Sequence, residues 1–235
     1  MSASLNCRDQ LPDASVQAAA SAQPVTYGPR GGAEPSRWNQ LLDVALEVFQ
    51  EKGYERASVA DVAKAAGLAK PTLYHYIDSK EDLLYGILSR SHQRLTAQLA
   101  ALEPRDSALE MVRQVVQTHV LFNIQYRDET AVFLADSRML SEERRQSLNE
   151  LLDEYDRRLQ ALVEEAQRRG EISSTIDPAL AVLAMLGAAN FVSRWYRQRP
   201  GSNPSHIAEV FADLAIGGLL GINRAPEGSQ KGVHA

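Results

Sequence analysis

Residues 58–80, SVADVAKAAGLAKPTLYHYIDSK, constrain this chain more than any other stretch, because they encode two short helices closed around a tight turn. Val59, Val62, Ala63 and Ala66 recur at i, i+3, i+4 and i+7, so one stripe of the first helix faces a core, and Ser58 is placed to cap its start. Gly67 stands where a helix-ending residue must adopt positive φ, and Leu68-Ala69 is the bend. A second helix begins near Lys70. Pro71 falls in its first turn, where the missing N–H would have had no intrahelical partner. Leu73 and Ile77, four apart, face inward, which leaves Lys70, Thr72, Tyr74, His75 and Tyr76 around the outside. The pattern is that of a helix-turn-helix.

The outward residue types suit a DNA duplex. Hydrogen-bonding groups near a helix N-terminus reach base edges, and cationic and hydroxyl groups alongside hold phosphates. Between Val62 and Ile77 stand two lysines and no carboxylate, although the chain carries 25 basic and 30 acidic residues for a net charge of −5. Ser79-Lys80-Glu81-Asp82 has the form of a capping box, which puts Lys80 at a helix start where its ammonium and exposed N–H groups are expected to bind one phosphate. The competing reading packs the two tyrosines and the histidine against a neighbouring helix. Three outward rings in succession favour a partner instead, with the phosphate backbone the first candidate. The expected DNA-contacting set is Ser58, Lys70, Pro71, Thr72, Tyr74, His75, Tyr76 and Lys80.

Around this motif the chain reads as all-α. A three-helix DNA-binding unit over 36–82 is completed by a first helix striped with Trp38, Leu41, Leu42, Ala45, Leu46 and Phe49 and closed by Gly53. A helical domain over 83–222 follows. Leu83, Leu84, Ile87, Leu88 and Leu95 begin a long linking helix running toward Pro104, and further helices are expected over 106–126, 129–140 and up to Gly170. Asp177-Pro178 opens another, expected through Arg199, and Ser205 the last, to about Gly221. Residues 1–35, rich in Ala, Ser, Gln, Gly and Pro, and residues 223–235 read as disordered tails. The first tail lacks the apolar run of a secretory signal, and no later stretch reads as long and uncharged enough to span a bilayer, so a cytoplasmic protein without a membrane partner is expected. Cys7 is the single cysteine, which excludes an intramolecular disulfide, and neither a metal nor a cofactor is expected.

The helix from Asp177 carries two apolar stripes. Leu180, Leu183, Ala184, Gly187, Ala188 and Phe191 form one; Val182, Leu186, Ala189 and Val192 form the other. A helix apolar on two sides needs two partners, its own core and, most simply, a second subunit. The last helix supports this with Ile207, Val210, Phe211, Leu214 and Ala215, and with Gly217, Gly218 and Gly221 allowing close approach. A homodimer through the last two helices is expected, with a near-palindromic operator.

Phe49 to Tyr54, Ser58, Ala63 to Leu68 and Thr72 to Leu83 together resemble the TetR family of one-component transcriptional regulators. Ala69 departs from the family pattern, standing where a serine or threonine usually caps the recognition helix. The resemblance implies an effector-binding and dimerisation domain whose last two helices form a four-helix bundle with a second copy. Leu186 to Arg197, with Phe133, Leu134, Arg138, Leu140 and Ser141, is similar to the subgroup whose members release DNA on binding acyl-CoA. That implies Asn190, Arg194, Trp195 and Arg197 against the coenzyme part, Arg138 beside them, and Phe122, Tyr126, Phe133, Met139 and Leu186 as walls for an acyl chain. Each wall residue also reads as plain core, and the Arg-Trp-Tyr-Arg run also reads as a helix C-terminal cap. Arg197-Gln198-Arg199-Pro200-Gly201 departs from the subgroup by two inserted residues.

Alternatives remain open at this stage: a TetR-like regulator of an efflux pump or another pathway, responding to a hydrophobic ligand other than a coenzyme A thioester, or a helical protein-binding adaptor. An enzyme finds little footing, since His92, His119 and His206 share no metal-binding spacing and no Gly-rich nucleotide loop is present.

Overall fold

The computed structural model describes residues 35–221, and within them all regular structure is helical. Both expected tails lie outside the described residues, except for Pro35, which begins the first helix. In chain order the elements are α1 (Pro35–Lys52), α2 (Val59–Ala65), α3 (Lys70–Leu73), α4 (Lys80–Ala100), α5 (Ala108–Gln125), α6 (Arg127–Asp136), a 3-10 turn (Ser137–Met139), α7 (Glu142–Arg168), α8 (Pro178–Trp195) and α9 (Pro204–Gly221).

Helix α1 buries Trp38, Leu41, Leu42, Ala45, Val48 and Phe49, while Leu46, expected in that stripe, is only half-buried. Gly53 (φ +79°) ends α1 and Gly67 (φ +65°) ends α2, both in the left-handed region where a side chain is strained. Leu73 and Ile77 are completely enclosed beside Val62 and Phe49. That pair fixes the azimuth of α3.

Helix α4 is the axis of the molecule. From Leu83 to Ser91 every residue is buried, because α4 packs against α1, α5, α6 and α7 at once. The first hydrophobic core therefore runs past residue 82. It joins α1 to α3 with Leu83, Leu84, Ile87 and Leu88 and recruits Val132 of α6, Leu140, and Leu148 of α7. Gly86 makes the α1–α4 crossing close: a Cβ there would meet Leu42 Cδ2 and Trp38 Cζ2, each at 2.9 Å. The second core lies among α5, α7, α8, α9 and the end of α4.

The two stripes of α8 part as the sequence reading expects. Val182, Ala189 and Val192 are buried, whereas Leu180, Leu183, Ala184, Gly187, Ala188 and Phe191 all stand exposed. Helix α9 sets Ala208, Ala212, Ile216 and Leu219 into the core and leaves Val210 and Leu214 outside. Two expectations are corrected. Helix α8 stops at Trp195 rather than Arg199, because Tyr196 turns extended (φ −60°, ψ 132°) and buries its ring. Its last-turn carbonyls then accept from guanidinium groups, Ser193 O from Arg127 Nε at 3.1 Å and Arg194 O from Arg197 Nη1 at 3.3 Å. At 18 residues and a mean hydropathy of 1.2, α8 is also long and apolar enough by composition to cross a membrane, contrary to the expectation that no stretch would be. In the fold it is packed against α5, α6, α7 and α9.

Candidate DNA interface and effector region

Ser58 caps α2 through a closed reciprocal pair. Its Oγ accepts from Asp61 N at 3.1 Å and donates to Asp61 Oδ2 at 2.7 Å, and its own N–H donates to Asp61 Oδ2 at 2.9 Å. The Lys52 ammonium and the Ser58 groups hold the Asp61 carboxyl well below the usual carboxylate range. The Ser58 proton is thus committed to the cap, which is the physical reason it is a weak candidate for the DNA contact expected of it.

Helix α3 is short. It has one α-helical turn, then tightens: His75 N donates to Thr72 O at 3.2 Å and Tyr76 N to Leu73 O at 2.9 Å, three residues back in each case. Ala69 has the extended backbone of an N-cap (φ −68°, ψ 142°) but no side-chain acceptor to offer. Lys70, Pro71, Thr72, Tyr74 and His75 are exposed on the resulting surface, with the Lys70 ammonium 5.8 Å from the Tyr74 ring centre. Lys64 of α2 is exposed as well and was not among the expected contacts, though its place on the polar side of the α2 stripe made it a candidate. Tyr76 is a partial correction: it is half-buried and packs on the first core.

Lys80 points elsewhere than expected. Its ammonium turns inward and donates to three main-chain carbonyls, Tyr54 O at 2.6 Å, Ala57 O at 2.9 Å and Glu55 O at 3.2 Å, while sitting 4.2 Å from the Tyr54 ring centre. All three N–H groups of the ammonium are used. Lys80 therefore staples the α1–α2 loop to the start of α4. The acidic half of the expected capping box is present: the Asp82 carboxylate accepts from Ser79 N at 2.8 Å and Asp78 N at 2.6 Å.

The residues expected to hold an effector do not converge on one place. Leu186 lines a narrow cavity of about 10 Å³, no more than one water needs, among Val112, Val116, Leu159, Val182 and His119. Asn190 belongs to a buried polar chain. Its Oδ1 lies 2.9 Å from His119 Nε2 and 3.1 Å from Asn123 Nδ2, His119 Nδ1 lies 2.8 Å from Tyr155 Oη, and Thr130 Oγ1 donates to Asn123 Oδ1 at 3.1 Å. Burial pushes the His119 imidazole below its ordinary value, which keeps it neutral. Phe122 is core, with the Tyr126 ring 4.7 Å away.

Phe133 and Met139 instead pack on the first core, against the DNA-binding unit, and Arg138 is exposed on the 3-10 turn. Phe133 and Met139 thus sit on the side of the molecule where α6 packs against α1 and α4, apart from Leu186 and Asn190. Trp195 stands on the exposed α8–α9 surface with its ring stacked at 6.5 Å on Phe211, and Arg194 is exposed beside it. Arg197 donates from Nη1 to Tyr196 O at 2.9 Å as well as to Arg194 O, the cap alternative weighed from the sequence.

Between the two units lies a larger cleft of about 370 Å³, lined by Leu46 of α1, Ile124 to Glu129 at the α5–α6 junction, and Tyr196 to Gln198 after α8. Beneath it Arg90 grips both units. Its Nη1 donates to Asn39 O at 3.0 Å, and its Nη2 meets Asp43 Oδ1 at 2.8 Å and Glu129 Oε1 at 3.0 Å. Arg94 reaches the same Glu129 oxygen at 2.5 Å. Nothing in the local sequence pattern marked Glu129 as buried; it lies in the charged first turn of α6, where carboxylates usually face solvent.

Residues 41–86 match the family of bacterial regulatory proteins named for TetR, and residues 105–219 match the tetracyclin repressor-like C-terminal domain. The chain belongs to the TetR family. Its fold is similar to that of PfmR, a TetR family transcriptional regulator from Thermus thermophilus, at 30% identity with a TM-score of 0.69 over 75% of this chain and 97% of that one. The fatty acid metabolism regulator protein of Bacillus subtilis (strain 168) is 28% identical over 185 residues, 78% of this chain and 95% of its own. AibR, solved with isovaleryl coenzyme A and operator DNA, shares the fold at 23% identity and a TM-score of 0.66, over 78% of this chain and 98% of that one. A TetR-family helix-turn-helix unit is a DNA-binding unit, so α2 and α3 form this chain's DNA-binding element, and the helices within 105–219 its tetracyclin repressor-like C-terminal domain.

Proposed function

We propose that this regulator is a homodimeric repressor that binds a near-palindromic operator and is released from it by an amphipathic effector, an acyl-CoA thioester being the first candidate. One observation carries the release: α4, enclosed from Leu83 to Ser91, is gripped through Arg90 by α1 on one side and α6 on the other. A shift in the regulatory domain is then transmitted to the reader, since packed seams of this kind move between discrete arrangements rather than yielding continuously. Lys64, Lys70, Pro71, Thr72, Tyr74 and His75 are the DNA-facing set in this reading.

The exposed stripe of α8 and α9 supports the dimer. Leu183 and Leu214 are 67% and 70% exposed in the single chain, and a Cβ at Gly187, Gly217 or Gly218 would meet nothing within 4 Å. Apolar surface of that extent on a soluble protein marks an interface, and the small residues let a second helix pair approach closely. Trp195 joins this stripe in place of the effector mouth. For the effector, the relationship to a fatty acid metabolism regulator and the fold shared with an isovaleryl coenzyme A-bound regulator both favour a thioester.

The test is to titrate operator-bound protein with short-chain, long-chain and aromatic acyl-CoAs and follow DNA release by fluorescence anisotropy. A matching thioester is expected to weaken operator affinity by about 5- to 150-fold, the usual range of allosteric coupling. Unchanged affinity across all of them contradicts the thioester reading. A hydrophobic effector other than a thioester is the second reading, and it would have to open the aliphatic packing around His119 to enter.

A further inference from the structure

Helices α4 and α7 begin side by side, and each supplies a side chain to the other's start. Glu81 Oε1 of α4 accepts from the N–H of Ser141, the residue before α7, at 2.6 Å. In return the Arg144 guanidinium, in the first turn of α7, pairs with Asp82 Oδ1; its Nε lies 3.9 Å from Glu81 Oε1, and its plane is centred 5.7 Å from the Tyr85 ring centre. The side chains of Arg144, Asp82 and Glu81 are only 22%, 17% and 25% exposed, so salt screens this clasp less than it screens a surface ion pair.

Asp82 divides its two oxygens between two parts of the molecule. Oδ2 accepts from Asp78 N at 2.6 Å and Ser79 N at 2.8 Å, which closes the turn through which α3 runs into α4. Oδ1 is taken by Arg144. Against partial burial, which raises it, Arg144 and those two N–H groups hold the Asp82 carboxyl below its ordinary value, so it is charged at neutral pH. One planar carboxylate thus joins the exit of α3 to a helix of the C-terminal domain. Helix α3 has little of its own to hold it, being four residues long with an N-cap alanine that offers no side-chain acceptor. Its placement comes from Leu73 and Ile77 in the core and from the turn at its exit.

We infer that Arg144 is a positioning residue for DNA binding, fixing through Asp82 the turn that sets the recognition helix on α4. The inference rests on α3 as the DNA-facing helix of the reading above and holds whatever the effector is. Its route is separate from the Arg90 grip: Arg90 joins the middle of α4 to α1 and α6, whereas Arg144 joins α7 to the last turn before the reader. A guanidinium suits the place, because one rigid plane reaches Asp82, Glu81 and the Tyr85 ring together, which a compact ammonium does not.

Arg144→Met, which removes the charge and keeps much of the side chain's length, tests this on the full chain. Operator affinity at several salt concentrations, hydrogen exchange of the peptide spanning 77–80 and thermal melting would be measured for wild type, Arg144→Met, Arg144→Lys, Asp82→Asn and the double variant Arg144→Met with Asp82→Asn. Below its melting midpoint, Arg144→Met is expected to bind operator about three- to tenfold more weakly with its salt slope unchanged, and to lose exchange protection at Asp78 and Ser79. Arg144→Lys should recover part of the affinity, and the double variant should lose less than the two single losses combined. A lowered melting midpoint with operator affinity and exchange at wild-type levels would mean a merely structural role and overturns the inference. A salt slope reduced by about one would make Arg144 a phosphate contact, and fully additive losses would separate it from Asp82; either also overturns it. Each of these results leaves α3 standing as the reader, whereas a wild-type chain that binds no DNA overturns the reader and the inference together.

Discussion

Lys80 carries the sharpest lesson at the scale of single residues. The sequence places it correctly in the first turn of a helix following a basic, aromatic surface, and nothing local reveals that carbonyls 23 to 26 residues earlier claim its ammonium. Direction is a tertiary property. Lys80→Ala should lower the melting midpoint, since hydrogen bonds to a charged group contribute about 1.5 to 3 kcal/mol each and three carbonyls would lose their partner. Operator binding in that variant should weaken with its salt slope intact. Lys70→Ala should do the reverse, leaving the melting midpoint alone and reducing the salt slope by about one. Melting curves and binding isotherms at several salt concentrations separate the two; a reduced slope for Lys80→Ala would return that residue to the DNA face. Ser58 follows the same logic on a shorter range, its capping role legible from Asp61 three positions on, and Glu129 is the opposite case, a surface-type residue buried by two arginines on another helix.

Elements were more legible than residues because helical periodicity and caps are local. The glycine stops of α1 and α2, the inward pair Leu73 and Ile77, and the two stripes of α8 all follow from spacing, and all stand in the fold. Where element ends failed, distant groups were responsible: α8 stops short because Arg127 of α6 takes a last-turn carbonyl and Tyr196 is needed by the interior. The brevity of α3 matches an N-cap position filled by alanine. Close crossing of α1 and α4 depends on Gly86, which carried no turn signal and reads from sequence only as a weak helix residue. In an isolated helix Gly86→Ala would be worth about 1 kcal/mol of added stability. Here the new methyl would meet Leu42 and Trp38 at 2.9 Å, so overpacking should prevail and destabilise the chain by about 1 to 3 kcal/mol. Denaturant unfolding measures the sign directly, and a stabilised variant would show that the α1–α4 crossing yields more easily than its contacts imply.

At the scale of the whole molecule, two cores share one helix. The reader's core reaches into α6 and α7 through Val132, Leu140 and Leu148, so the boundary at residue 82 separates sequence patterns more cleanly than it separates packing. That interpenetration was invisible to a reading along the chain, which treats Phe133 and Met139 as regulatory-domain walls because they follow the linking helix. It is also what makes regulation at a distance mechanically reasonable, with Arg90 held from both sides. In the proposed homodimer the exposed α8–α9 stripe would pair two readers, each a single short helix turn, on one two-fold site. The central claim, a paired DNA reader, is tested most directly by capturing genomic DNA fragments on the full-length protein at about 50 and about 200 mM salt and sequencing what is retained. Saturable enrichment of one inverted repeat, its half-sites a whole number of helical turns apart and its affinity falling by about 10³-fold or more between the two salts, is the expected result. Retention indifferent to salt, or enrichment without two-fold symmetry in the recovered sequences, would contradict it.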